Sequence, residues 1–262
     1  MLAVPWKKLF LFRIWKRIYL ENGGFLARIS FQDKHYPLFR KQKKEWLAKG
    51  GTITLNNMIL ADYSSNAGSV KRHYFNQDLL VASFIFENQP ERHVDVASRI
   101  DGFVGSVASF RKIEVLDVRP LPQSEHKNIK FTQADVMKPM TIGQTDSLSC
   151  LHAIEHFGLG RYMDPIDING HKKGIHNLVQ LVKPGGRLYI SFPIGKQDEV
   201  HFNAHRIFHP KSIFEIKSIA ENMKLVRFDY EGDNRDLHLN VSVDSSVGKT
   251  NYGCAIYTFE KY

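Results

Sequence analysis

A chain of 262 residues is long enough to bury one α/β core and to carry an appendage. Its 43% hydrophobic content excludes a disordered chain. Thirty-six Lys and Arg against 27 Asp and Glu give a formal charge of +9, which points to an anionic partner: a phosphate-bearing substrate, a nucleic acid or a membrane surface. Two cysteines, Cys150 and Cys254, make no disulfide framework, so a reducing cytoplasm is the default.

Residues 1–20, MLAVPWKKLFLFRIWKRIYL, are basic and aromatic. Lys7, Lys8, Arg13, Lys16 and Arg17 interrupt the apolar core that a signal peptide needs, and no run is long enough to span a bilayer. Leu11, Ile14, Trp15 and Ile18 share one helical face, with Arg13, Lys16 and Arg17 opposite. That suits an interfacial helix on an anionic membrane; the competing reading packs the same face on the chain's own domain. No zinc-finger spacing, RNA-binding aromatic signature or recognition helix accompanies the early charge, which disfavours nucleic acid. A charged helix is expected over 41–47, ending at Gly50-Gly51, then a strand over 52–60 and a polar loop over 64–68. Residues 1–70 thus read as an extension and cap, and residues 71–262 as the main domain.

From residue 74 the pattern becomes regular. A helix is expected over 74–86, with Phe75, Leu79, Val81, Ala82 and Ile85 on its apolar face and Gln77 and Asp78 outward. Strands follow over 93–97, 113–118, 129–134 and 147–151, with a helix over 103–110 between the first two. Ile175, Leu178, Val179 and Val182 recur at helical spacing until Lys183-Pro184-Gly185-Gly186 stops the helix, because Pro cannot continue it and Gly takes the left-handed cap. A strand over 187–192, a helix over 211–223, a strand over 225–230 and a last strand over 252–259 complete the chain. Strands alternating with helices predict a mostly parallel Rossmann-like sheet covered on both faces, here with an antiparallel last strand. Such sheets bind ligands at the carboxyl ends of their strands.

Those ends carry charge. The first strand runs into Asp95-Val-Ala-Ser-Arg-Ile-Asp-Gly102, where Arg99 suits a ligand carboxylate and Asp101 an amine. The competing reading pairs Arg99 with Asp101. Asp117 closes the second strand roughly 20 residues after Asp95, the place where an acid receives ribose hydroxyls. Asp135 closes the third, and the three acids together suggest an adenosine-containing cofactor. His152, Glu155 and His156 follow the fourth strand. A histidine near its natural pKa suits deprotonation of a hydroxyl under attack on an electrophile. His152-x-x-Glu155-His156 also matches an inverted zinc-peptidase pattern, but that pattern needs an established helix. A divalent ion held by Asp164 or Asp167 is a further alternative, and no metal ligand is assigned.

The segments HVDVASRIDGFV, VLDVRPL, DSLSCLHAIEHFGLGRYMDPID, KPGGRLYISFPIG and FNAHRIF resemble the family named domain of unknown function 268, over about residues 74–208. Helix, KPGG turn and strand look like the end of a class I S-adenosylmethionine (SAM) methyltransferase core. The resemblance implies a class I methyltransferase sheet and SAM as cofactor. Asp95, Ser98, Arg99, Asp101, Gly102, Asp117 and Asp135 then become its candidate contacts, with Asp135 on the adenine amino group. The first turn departs from the family's glycine-rich pattern: Ala97, Arg99 and Asp101 stand at the glycine positions, and only Gly102 is near. On the acceptor side His156 is the first candidate base, oriented by Glu155, with His205 second and His152 beside them. Arg161, Arg206 and Asp164 are candidates to hold the acceptor, the arginines through an anionic group. Family members look like components of surface-polysaccharide loci, which implies a sugar or nucleotide-linked sugar hydroxyl as acceptor. The alternative is a non-methylating protein on the same fold that binds a nucleotide sugar or a partner protein. No base-flipping motif follows the fourth strand, which counts against nucleic-acid methylation.

Overall fold

The computed structural model describes residues 34–68, 70 and 73–262, so the basic segment 1–20 with its expected interfacial helix lies outside the described residues. No described helix is long and apolar enough to cross a membrane. The chain divides between Ser69 and Val70 into two compact units. In the first, α1 (Tyr36–Ala48) buries none of its residues and ends where Gly50 takes a left-handed φ of 86°. The strand expected over 52–60 does not form; that stretch has no regular ladder, and the Trp46 indole donates to Thr52 O at its start and the Tyr63 amide to Leu60 O at its end.

The second unit is an eight-stranded sheet of order β3-β2-β1-β4-β5-β10-β8-β9. Its strands are β1 (His93–Val96), β2 (Ile113–Asp117), β3 (Ile129–Gln133), β4 (Thr145–Leu151), β5 (Val182–Ile194), β8 (Met223–Glu231), β9 (Leu237–His238) and β10 (Gly253–Lys261). A separate hairpin, β6 (Glu199–His201) and β7 (His205–Ile207), follows β5. The first five strands pair in parallel, and β10 inserts antiparallel between β5 and β8. The chain order reverses at β1 and β4, so their carboxyl ends open a crevice side by side. Helices α2 (His73–Asn88) and α3 (Gly105–Ala108) cover one face, and α4 (Gly170–Leu181) and α5 (Lys217–Asn222) cover the other.

Three expectations need correction. Helix α2 buries His73, Gln77 and Asp78 together with Val81, Ala82, Phe84 and Ile85, while Phe75, Leu79 and Phe86 are exposed. Its buried stripe is polar at the N-terminal end because that end packs on the polar strand termini, where Gln77 accepts from the Ser191 hydroxyl. The helix expected over 103–110 begins earlier, as a wide π turn over Ile100–Val104, and ends at Ala108. The helix expected over 211–223 splits into a 3-10 turn (Ser212–Glu215) and α5, with Ile216 extended between them. Ile213 and Ile219, six positions apart, would face different directions on one continuous helix; the break lets both enter the same core.

A buried carboxylate ties this architecture together. Asp95, fully buried, accepts from the hydroxyls of Ser98 (2.6 Å) and Ser149 (2.5 Å) and from the Ser98 amide (3.1 Å). The Ser98 hydroxyl in turn accepts from the Leu151 amide, and Ser149 meets the His93 ring. The end of β1, the turn after it and β4 are therefore fastened at one point.

Burial raises the Asp95 pKa from 3.8 to about 6, against the hydrogen bonds from Ser149 and Ser98. The neutral form is the one the fold favours. Its stabilising contribution is complete below the unfolded value and is lost as pH rises towards 6. Asp95→Ala is expected to destabilise the protein more at pH 4 than at pH 8, by up to roughly 3 kcal/mol. Urea denaturation at the two pH values measures this, and a cost that grows with pH contradicts it.

Candidate active site

The turn after β1 bends at Ala97, whose φ of 58° lies in the left-handed region. The amide of Ala97 still donates to Leu116 O, so the strain is held by continuation of the ladder. His152, directly after β4, is also left-handed, with φ 49°, and its amide donates to Ser191 O. The two strained residues thus stand at the ends of the two strands that border the crevice. Gly102 serves a different purpose: a Cβ there would lie 2.5 Å from Asp78 Oδ2. Burial raises the Asp78 pKa to about 6, opposed by the Gln77 hydrogen bond and by Arg99 and His152 nearby.

A cavity of about 50 Å³ lies over the ends of β1, β2, β3 and β4. Ala97, Asp117 and Asp135 line it together with His152, His156, Tyr162 and Asp164. Asp117 accepts from Arg119 through Nε (3.0 Å), Nη2 (2.6 Å) and the backbone amide (2.8 Å). Asp135 accepts from the Met137 amide and faces Lys138. A second cavity of about 300 Å³, lined by Ser98, Arg99, Asp101, Asp117, Arg119 and Phe131, lies beside the first.

On the opposite wall His152 stacks against His73 and tilts towards Tyr74. Its Nδ1 donates to Glu155 Oε1 at 3.0 Å, while its Nε2 and Glu155 Oε2 are buried without partners. Burial opposes charge on His152, but the Cys254 thiol and Glu155 outweigh it and raise the pKa above the ordinary histidine value. His156 donates from Nδ1 to Ala204 O at 2.7 Å, with Nε2 3.7 Å from Glu155. Burial lowers its pKa, Glu155 opposing and Arg161 assisting, so this ring is neutral. His205 is half-buried beside Tyr252 and His201, with Nε2 unpartnered.

Several sequence candidates turn out to brace the site. Asp95 and the Ser98 hydroxyl are consumed by each other and by β4. Arg99 pairs with Asp101 on the surface and lies over the Tyr74 ring. Arg206 is buried and donates to the carbonyls of Glu155 and Phe157, which straps the loop after β4 to β7. Asp164 accepts from the amides of Gly158, Gly160 and Tyr162 and so closes that loop. Arg161 is exposed and donates to Ala204 O. Asp167 pairs with Lys173. Among the described residues, no group of three or more His, Cys, Asp or Glu is placed to hold a metal ion. Sequence reasoning missed Gln77, Asp78, Arg119 and Tyr162; only Arg119, two residues after Asp117, carried a local signal.

Residues 128–218 match the family described as Caenorhabditis protein of unknown function, DUF268, which bears out the resemblance over that stretch. No curated protein matches the chain. Among solved structures, the N-methyltransferase NodS from Bradyrhizobium japonicum WM9, in complex with S-adenosyl-L-homocysteine, superposes with a TM-score of 0.50 at 16% identity, covering 78% of this chain and 93% of that one. The [4+2]-cyclase SpnF gives 0.52 at 12% identity, covering 88% and 94%. Coclaurine N-methyltransferase bound to N-methylheliamine and S-adenosylhomocysteine gives 0.50 at 7% identity, covering 76% and 75%. These likenesses establish the fold: a Rossmann-like sheet of the class I methyltransferase type.

Glycine at position 97 would remove the left-handed penalty of about 1–2 kcal/mol and add back part of it as chain entropy. Ala97→Gly is therefore expected to raise stability by roughly 0.5–1 kcal/mol, read as a higher urea midpoint. An unchanged or lower midpoint would show that the turn is not strained.

Proposed function

We propose that the chain is a SAM-dependent methyltransferase acting on a hydroxyl of a sugar or nucleotide-linked sugar. One observation carries this reading: a single cavity at the carboxyl ends of β1 to β4 is lined by Asp117 and Asp135 together with His152 and His156. The chemistry of these groups fits an adenosine-bearing methyl donor. Asp117 offers two oxygens to ribose hydroxyls, Asp135 an acceptor to an adenine amino group, and the Ala97 turn a close backbone approach. Asp101 and Arg99 line the second cavity beside it, where the donor's amino-acid end would lie, and Gly102 lets the turn close against Asp78. The cavity as it stands is smaller than adenosine, so its wall has to move.

When bound, the donor supplies an electrophilic methyl group. The chain's own residues supply the base. Glu155 accepts the Nδ1 proton of His152 and thereby fixes the tautomer, which leaves the lone pair on Nε2, buried on the Cys254 side of the ring, where the wall movement that admits the donor has to expose it. That nitrogen is the one we assign to take the acceptor hydroxyl's proton. This pattern favours His152 over His156, whose ring is held through Nδ1 by Ala204 O, the carbonyl that Arg161 also donates to. His205 lies beside Tyr252 and His201, and Arg161, exposed and bonded to Ala204 O, suits a phosphate on the acceptor. Work at the inner face of a membrane, through the basic residues 1–20, fits such an acceptor.

A second reading has its own supporting observation. Asp117 is occupied by Arg119, as expected of a protein that binds a nucleotide sugar or a partner protein without transferring a methyl. A fold neighbour named a [4+2]-cyclase shows that this sheet also serves other chemistry.

The base assignment fixes a pH profile. Because the His152 pKa lies above 6.5, methyl transfer is expected to fall as pH drops through that raised value, as Nε2 gains a proton. His152→Gln is expected to lower kcat by about 100-fold or more while SAM binding is retained. Transfer of a labelled methyl group to a panel of nucleotide sugars measures both. Full activity in the variant would remove His152 from the mechanism.

A further inference from the structure

Arg119 stands where a ligand would have to be. Among the described residues, all three hydrogen bonds that the Asp117 carboxylate accepts come from this one residue, two of them from the guanidinium. The same guanidinium lies over the Tyr162 ring, 4.4 Å from its centroid. Tyr162 belongs to the loop after β4 and meets the His156 ring edge-on at 5.6 Å. Both cavities at the strand ends, about 50 Å³ and about 300 Å³, are lined by Asp117 and Arg119, so this side chain is part of the wall between them. A space of about 50 Å³ holds a few waters and no nucleoside.

We propose that Arg119 is a specificity-determining residue, an internal occupant of Asp117 that a ligand displaces only by offering two donors at once. This rests on the cofactor reading above and adds the condition for entry. A guanidinium fork satisfies both carboxylate oxygens, so a ligand with a single donor would leave one oxygen of a mostly buried carboxylate unpaired. The cis-diol of a ribonucleoside replaces both bonds, whereas a 2′-deoxyribose replaces one. The exchange is feasible because the Arg119 side chain is 47% exposed and can turn to solvent, where an ion pair is worth little. Its departure joins the two cavities and also releases Tyr162. Arrival of the nucleoside is thereby coupled to the loop that carries His152, Glu155 and His156.

Calorimetric titration of the full chain and of Arg119→Ala tests this, with S-adenosylhomocysteine, adenosine and 2′-deoxyadenosine as probes. The variant is expected to bind S-adenosylhomocysteine about fivefold tighter. It should also discriminate less between adenosine and 2′-deoxyadenosine than the parent chain does. Arg119→Lys, which keeps the charge and loses the fork, should fall between the two. If the parent chain binds and Arg119→Ala binds equally or more weakly, the occupant role is overturned and the cofactor reading stands. If neither folded protein binds any of the probes, both are overturned together.

Discussion

The site depends on one buried carboxylate. Asp95 reaches the turn after β1 and β4 at once, through the Ser98 and Ser149 hydroxyls, and it does so with no exposure to water. Parallel pairing of β1 with β4 already sets the two strands side by side. Pairing alone leaves the turn beyond β1 free to vary, and the Asp95 hydrogen bonds remove that freedom. Burial pushes its pKa up to about 6, and the donors from Ser98 and Ser149 offset part of the cost of burying the charge.

Two strained residues follow from that fixed point. Ala97 and His152 both adopt left-handed conformations at the mouths of neighbouring strands, and each keeps its amide in a backbone hydrogen bond. Strain of this kind persists only where surrounding structure over-determines it. Here the Asp95 network holds one turn, while Arg206 and Asp164 hold the loop after the other. The outcome is a histidine with one nitrogen committed to Glu155 and the other buried without a hydrogen-bond partner, lining the same small cavity as Asp117 and Asp135. Positioning groups outnumber those left to touch a ligand, which is the usual cost of holding a few side chains in place.

The sheet was legible because parallel strands buried on both faces read as short apolar runs, and the Lys183-Pro184-Gly185-Gly186 stop is chemically unambiguous. Strand-end spacing also located Asp117, Asp135 and the His152–His156 segment on the cavity wall. It did not reveal which way a side chain turns, so the hydrogen bonds by which Asp95, Ser98, Arg206 and Asp164 brace the fold left no mark in the sequence. Helix α2 misled for a related reason. Its buried stripe carries His73, Gln77 and Asp78 where it meets polar strand ends, and a hydrophobic-face reading sends such residues to solvent. Arg119 over Tyr162 joins residues 43 positions apart and left no trace in local pattern.

Hydrogen–deuterium exchange of the full chain, with and without S-adenosylhomocysteine, tests most directly where the chain holds an adenosine-bearing ligand. The account predicts slower exchange confined to the amides of residues 97–102, 117–119, 134–137 and 152–156. Protection that falls elsewhere, or none at saturating ligand in folded protein, would contradict it.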